Sequence, residues 1–234
     1  MKINFLTLFP NYYEPFVNES IIFKAIQKEI IDINVIDFRD FSKDKHKKVD
    51  DEIFGGGHGM LLQIEPIDLA LESLKNRGGY KILVSPQGKV FTQEIANKLS
   101  KYDQITFISG RYEGFDERVV DLVDEELSIG DYVLTGGELP SMVMADSIVR
   151  LVKGVIREES HEFESFQGIG LLEHPQYTRP RDYKGMLVPE VLLNGNHAEI
   201  EKWKKEAQYN KTLKNRPDII LKIKENLERT KNEK

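Results

Sequence analysis

Three loops carry the residues best suited to holding a ligand. They are Leu83-Val84-Ser85-Pro86-Gln87-Gly88, Ile108-Ser109-Gly110-Arg111-Tyr112-Glu113-Gly114, and the longer run from Ser128 to Pro140, which holds Gly130, Gly136 and Gly137. Each follows an apolar, strand-like run. Glycine has no Cβ, so main chain can pass close to a ligand there. Loops at the carboxyl ends of parallel strands are where α/β sheets place their ligands. The three together therefore point to one pocket built largely from main chain, although each alone also reads as an ordinary tight turn. The chain has no G-x-G-x-x-G after its first strand and no G-x-x-x-x-G-K-[ST], which argues against a Rossmann dinucleotide site and a P-loop. Its five histidines (His46, His58, His161, His174, His197) show no ligand spacing, and it has no cysteine, so neither a zinc site nor a thiolate nucleophile is expected. Gly55–Gly59, beside Asp50 and Asp51, reads as a flexible hairpin loop.

The elements that must position these loops alternate. Strand patterns at Ile3–Leu8 and Ile31–Phe38 flank a helical pattern from Ser20 to Ile30. Further on come a helix at Pro66–Lys75, a strand at Tyr80–Ser85, and a helix capped by Thr92 that runs to about Lys101. Then follow a strand at Gln104–Ser109, a helix at Phe115–Val123, extended runs at Glu125–Ile129 and Tyr132–Leu134, and an amphipathic helix at Glu138–Val152. Such alternation predicts an α/β domain with a mostly parallel sheet covered by helices on both faces. Residues 155–172 crowd Glu158, Glu159, His161, Glu162 and Glu164 ahead of Gly168 and Gly170, and read as a polar linker. Helical patterns at Ala198–Gln208 and Pro217–Arg229 predict a small C-terminal all-α domain.

The 234 residues carry a net charge of −6, which alone argues against a nucleic-acid partner. The distribution changes that reading. Residues 201–234 hold eleven Lys/Arg against six Asp/Glu, so the rest of the chain is strongly acidic. Such asymmetry hints at a polyanion partner. With no leader-like apolar run near Met1 and no span long enough for a bilayer, a cytoplasmic protein is expected, not a membrane one.

The three loops occur in order with Phe5-Leu6-Thr7-Leu8-Phe9-Pro10, Gly55-Gly56-Gly57-His58-Gly59-Met60, His174-Pro175-Gln176-Tyr177-Thr178-Arg179-Pro180 and Leu193-Asn194-Gly195-Asn196-His197. Across nearly the whole chain this order and spacing resembles the bacterial tRNA (guanine-N1)-methyltransferases of the SPOUT superfamily. The resemblance implies a deep trefoil knot over about residues 80–152, against the general rarity of knots. It implies domains at 1–157, 158–172 (a linker carrying the base) and 173–234, and a homodimer whose pockets are completed by the second subunit. It implies S-adenosylmethionine as methyl donor, held by Leu83, Ser85, Pro86, Gln87, Gly88, Gly110, Tyr112, Gly114, Ile129, Gly130, Tyr132, Val133, Leu134, Gly136 and Gly137, with Leu83, Ile129 and Leu134 packing on the adenine. A divalent-ion requirement stays open.

Guanine N1 carries a proton near neutral pH, so its methylation needs a base, and a carboxylate within hydrogen-bond reach suits that task. The family uses an aspartate. Here the matching segment is Glu164-Ser165-Phe166, and the following Gln167-Gly168-Ile169-Gly170 is one residue longer than usual. Glu162 is the nearest competitor. Arg150 matches a family arginine that contacts the base, with Asp146 one turn before it. Gly55, Gly56, Gly57 and Glu113 are expected around the target base, with His58 where the family has proline. Tyr177, Arg179, Arg181, Lys184, Lys202, Lys204, Lys205, Lys211, Lys214 and Arg216 are expected to meet tRNA, Arg179 and Lys205 foremost, while Trp203 reads either as a further RNA contact or as core of the small domain. The implied reaction is methylation of the guanosine just 3′ of the anticodon. The alternatives are another RNA acceptor, such as a ribose 2′-hydroxyl, and a non-catalytic SAM- or RNA-binding module.

Overall fold

The computed structural model describes residues 1–157 and 164–232. Two compact units are present, Met1–Arg157 and Glu158–Lys234. The first unit runs β1 (Lys2–Thr7), α1 (Glu14–Asn18), α2 (Ser20–Gln27), β2 (Asp32–Asp37), β3 (Asp50–Glu52), β4 (Met60–Leu62), α3 (Ile64–Ser73), β5 (Tyr80–Val90), α4 (Gln93–Leu99), β6 (Gln104–Ser109), β7 (Glu125–Ser128) and α5 (Glu138–Val149). Five strands form one sheet in the order β2-β1-β6-β5-β7, and every pairing is parallel.

A parallel sheet must be covered on both faces, and strand alternation supplies two cores. Ile3, Phe5, Ile82, Val84, Ile105 and Phe107 pack on one face with Ile22 and Ala25 of α2, Ile95 and Leu99 of α4, and Met144, Ile148 and Val149 of α5. Leu6, Leu83 and Ile108 point the other way, against Ile67, Ala70 and Leu71 of α3 and against Phe38 and Val119. Two buried polar side chains inside the sheet are linked by hydrogen bonds. Asn4 donates to Thr106 Oγ1 at 2.9 Å, and Thr106 donates to the Gly78 carbonyl at 2.6 Å. Burying them unpaired would cost stability.

Several sequence expectations need correction. β5 runs past Ser85 to Val90, because a register shift between Val84 and Lys89 lets it pair β7 twice. The helix expected at Phe115–Val123 is a shorter 3-10 helix over 117–122, started by the Asp116 side chain accepting from the Arg118 N–H at 3.0 Å. Tyr132–Leu134 is not a strand. α5 is not amphipathic: Met144 and Ile148 are fully buried, yet Leu139 and Val143 are about half exposed, so apolar residues lie on more than one side.

The second unit holds β8 (Asp182–Tyr183), β9 (Met186–Leu187), α6 (His197–Asn215) and α7 (Pro217–Asn232). It is therefore not all-α. β8 and β9 pair antiparallel across Lys184 (φ 54°) and Gly185 (φ 83°), the positive-φ pair of a tight hairpin. α6 is longer than its pattern indicated, and Pro217 at the first position of α7 separates the two helices.

Candidate functional site

A cavity of about 250 Å³ opens in the first unit where β5, β6 and β7 end. Its wall comes from the β5 bulge (Ser85, Pro86), from Gly110–Phe115 after β6, from Ser128, Ile129 and Tyr132–Gly137 after β7, and from Pro140. Of the residues expected to hold the methyl donor, Ser85, Pro86, Gly110, Tyr112, Gly114, Ile129, Tyr132, Val133, Leu134, Gly136 and Gly137 are brought together here.

Leu83, Gln87, Gly88 and Gly130 are not part of this wall. Alternation along β5 sends the Leu83 side chain into the opposite core, where it is 2% exposed and unable to pack on an adenine. Gly88 serves strand pairing instead: a Cβ there would lie 2.5 Å from the main chain of Glu126 and Leu127. Gly130 is tucked against the Tyr132 ring, and Gln87 points out from the bulge, exposed.

Sequence reasoning missed Val84, Arg111, Phe115, Leu127, Ser128, Thr135 and Pro140 as lining residues. Arg111 lies inside a quoted motif, but an arginine in a loop reads by default as a surface charge. Arg111 and Glu113 are the one cation and one acid in the wall, among apolar and main-chain groups. The apolar and main-chain groups fit a ligand with a flat, weakly polar body. Tyr112 sits at φ 60°, a conformation costly for an aromatic residue, with its ring 55% exposed at the cavity.

Behind the wall, the Tyr13 hydroxyl lies 3.1 Å from Ser109 Oγ and 2.8 Å from Ser141 Oγ, tying the end of β6 to α5. Burial pushes the Tyr13 phenol up to about 12, so it stays neutral and structural.

The β3–β4 hairpin docks against the second pocket loop. Glu113 N–H donates to the Met60 carbonyl at 3.1 Å, and Leu62 N–H donates to the Gly114 carbonyl at 2.9 Å. Gly55, Gly56 and Gly57 do not line the cavity but form the exposed hairpin tip with Phe54 and His58. Arg150 follows α5 half-buried, its N–H on the Asp146 carbonyl at 3.1 Å, and Asp146 is exposed.

In the second unit, Glu164 is half-buried and opens a compact loop. Its carbonyl accepts from Gln167 N–H at 3.3 Å, Phe166 N–H donates to Leu171 O at 2.9 Å, and Ser165 Oγ accepts from Glu173 N–H at 2.9 Å. Glu162, the competing carboxylate, lies outside the described residues, as do Glu158, Glu159 and His161. Arg179 and Lys205 are exposed, while Trp203 is half-buried with its ring 6.3 Å from that of Tyr177. Among the described residues, no three His, Asp or Glu are grouped to hold a metal ion, and no helix is long and apolar enough to cross a membrane.

Residues 1–222 match the family model described as tRNA (Guanine-1)-methyltransferase TrmD. The chain belongs to this tRNA (guanine-1)-methyltransferase family. It is 79% identical over 223 residues to the tRNA (guanine-N(1)-)-methyltransferase of Mycoplasmopsis agalactiae, covering 95% of this chain and 98% of that protein. It is 73% identical over 234 residues to that of Mycoplasmopsis synoviae, with both chains covered fully. The more distant protein of the same name from Sulfurihydrogenibium sp. is 51% identical over 231 residues, covering 97% of this chain and 91% of that one. The methyltransferase family match spans the cavity loops, Arg150, Glu164, Arg179 and Lys205 alike.

Proposed function

We propose that this chain transfers a methyl group from S-adenosylmethionine to N1 of the tRNA guanosine immediately 3′ of the anticodon. The observation that carries the reading is family membership over nearly the full length, joined to a cavity built from three loops at strand ends. S-adenosylmethionine supplies a methyl on a sulfonium. On this reading the main chain of Gly110, Gly136 and Gly137 and the side chains of Ile129, Val133 and Leu134 receive its nucleoside, and Glu113 faces the target base.

On this reading Glu164 removes the guanine N1 proton, Arg150 steadies the charge that develops on the base, and Asp146 orients Arg150. Gly55–Gly57 shape the target-base site, and Arg179 and Lys205 bind tRNA phosphate. Catalysis is then mainly positioning of N1 in line with the methyl group.

We read the first unit as a trefoil knot. Gly137 N–H donates to the Gly110 carbonyl at 2.9 Å, so the segment after β7 returns across β5 to the end of β6. This supports threading through the loop that β5 and its bulge make. We also read the enzyme as a cytoplasmic homodimer. Leu139 and Val143 on α5 and Phe9 and Tyr12 beside its N-terminus leave apolar surface exposed, the kind a second subunit covers. The domains on this reading are 1–157 for the cofactor, 158–172 for the base, and 173–234 for tRNA.

The test is labelled methyl transfer to unfractionated tRNA followed by mapping. Label on N1 of the guanosine next to the anticodon is the expected outcome. Label on a ribose 2′-hydroxyl, or none, would overturn the reading.

Two further outcomes follow from the placement of the sites. A fragment ending at Arg157 should bind S-adenosylmethionine by calorimetry with no RNA present, because all three loops lie within that unit. A folded fragment giving no heat would contradict this. Tyr132→Ala should weaken S-adenosylmethionine while leaving tRNA affinity intact, and Arg179→Ala or Lys205→Ala should do the opposite, more so as salt rises. The inverted pattern would reassign the sites.

A further inference from the structure

Glu138 opens α5 with its side chain 1% exposed, and a carboxylate so buried is tolerated only when paired. Its partner is Arg111, whose Nε lies 2.9 Å from Glu138 Oε2 with its own side chain 14% exposed. The N–H does not align on that oxygen as a hydrogen bond, so the contact is one of charge. Glu138 is fixed from the other side as well, since Thr7 Oγ1 at the end of β1 donates to Oε1 at 2.8 Å.

Arg111 in turn has little freedom. Its guanidinium sits 4.6 Å over the Phe9 ring and 5.2 Å from that of Tyr12, and its Nη1 donates to the Thr135 carbonyl at 3.0 Å. A guanidinium packed against two adjacent rings and hydrogen-bonded at one edge has little room to turn. Thr135 therefore meets a donor already in place, and Gly137 N–H reaches the Gly110 carbonyl two residues further on. The chain of contacts runs from β1 through α5 and the second pocket loop to the third.

We propose that Glu138 is a positioning residue. Through Arg111 it holds Thr135–Gly137 against the end of β6, and so keeps the cavity formed before any ligand enters. The inference deepens the proposed function, resting on it only in naming the ligand as S-adenosylmethionine.

The test uses the full chain and two variants. Glu138→Gln keeps size but leaves Arg111 as a buried, uncompensated cation. Arg111→Met/Glu138→Met removes both charges, and replacing a buried pair by apolar side chains often restores stability. Amide exchange of Gly137 in the ligand-free protein reports the loop, and calorimetry reports S-adenosylmethionine affinity. In Glu138→Gln, Gly137 exchange should quicken and affinity fall by about ten- to a hundredfold. The two should move together, since apparent affinity scales with the fraction of protein already competent to bind. The double variant should melt near wild type yet keep both defects, because nothing then donates to the Thr135 carbonyl.

If the double variant recovered both Gly137 protection and wild-type affinity, the pair would be charge compensation only and the proposal would fall. Exchange needs no ligand. A wild-type protein with a protected Gly137 but no S-adenosylmethionine binding would overturn the proposed function, while the exchange results in the two variants would still decide the positioning role.

Discussion

Glu164→Gln should slow single-turnover methylation of tRNA by roughly 10²- to 10⁴-fold, the usual contribution of a positioned general base. Glutamine keeps the size and hydrogen-bonding capacity of glutamate but cannot accept the N1 proton. Affinities for S-adenosylmethionine and tRNA should change little. Glu164→Asp restores the residue that the family resemblance implies, with a side chain one methylene shorter. Glu164 opens a loop closed on itself by Phe166 N–H to Leu171 O and Glu173 N–H to Ser165 Oγ. A loop shaped around the longer side chain should leave the aspartate variant slower than glutamate yet far faster than glutamine. Wild-type rates in Glu164→Gln would pass the role to Glu162 or abolish the need for a carboxylate.

The second large effect is steric. A Cβ on Gly137 would lie 2.8 Å from Ser109 Cα and 2.9 Å from Gly110 N, and main chain at the end of β6 has no room to yield. Gly137 has φ −84°, so its conformation suits any residue and only the close approach demands glycine. Gly137→Ala should therefore weaken S-adenosylmethionine by about ten- to a hundredfold, the equivalent of the 1–3 kcal/mol that overpacking costs. Gly55→Ala separates sterics from conformation. Gly55 has φ +86° and nothing within 4 Å of a Cβ, so alanine there meets backbone strain of about 1–2 kcal/mol but no clash. It should lower the melting temperature and spare cofactor affinity. Equal cofactor affinity in Gly137→Ala and wild type, by calorimetry, would show that the third loop does not close on β6 in solution.

The alternating elements were legible because their signals are local. Gln104–Ser109 reads as a strand from its own apolar content and is one, and the Thr92 hydroxyl caps α4 by accepting from Ile95 N–H at 3.4 Å. Misreadings came where distant partners decide. β5 extends past Ser85 because β7 offers it a second stretch of ladder. Tyr132–Leu134 has β-forming residues but no neighbouring strand to pair with, so it remains a loop lining the cavity. The sequence of α5 predicts an amphipathic helix, yet its apolar residues face both a core and exposed surface.

By itself the sequence determined the α/β class, the three glycine-bearing loops and the family, because apolar periodicity, turn residues and motif order are properties of neighbouring positions. It also identified Glu164 and Arg150 as candidates, through matched motifs. Tertiary structure alone decided which loop residues share a wall. Leu83 and Val84 are adjacent and equally apolar, but the two-residue period of a strand turns Val84 to the cavity side and Leu83 into the opposite core. Tertiary structure also decided that Glu138, an acid in a glycine-rich turn, is buried against Arg111 and Thr7. Those partners are 27 and 131 residues away along the chain, and only the crossing of β5 brings them within reach.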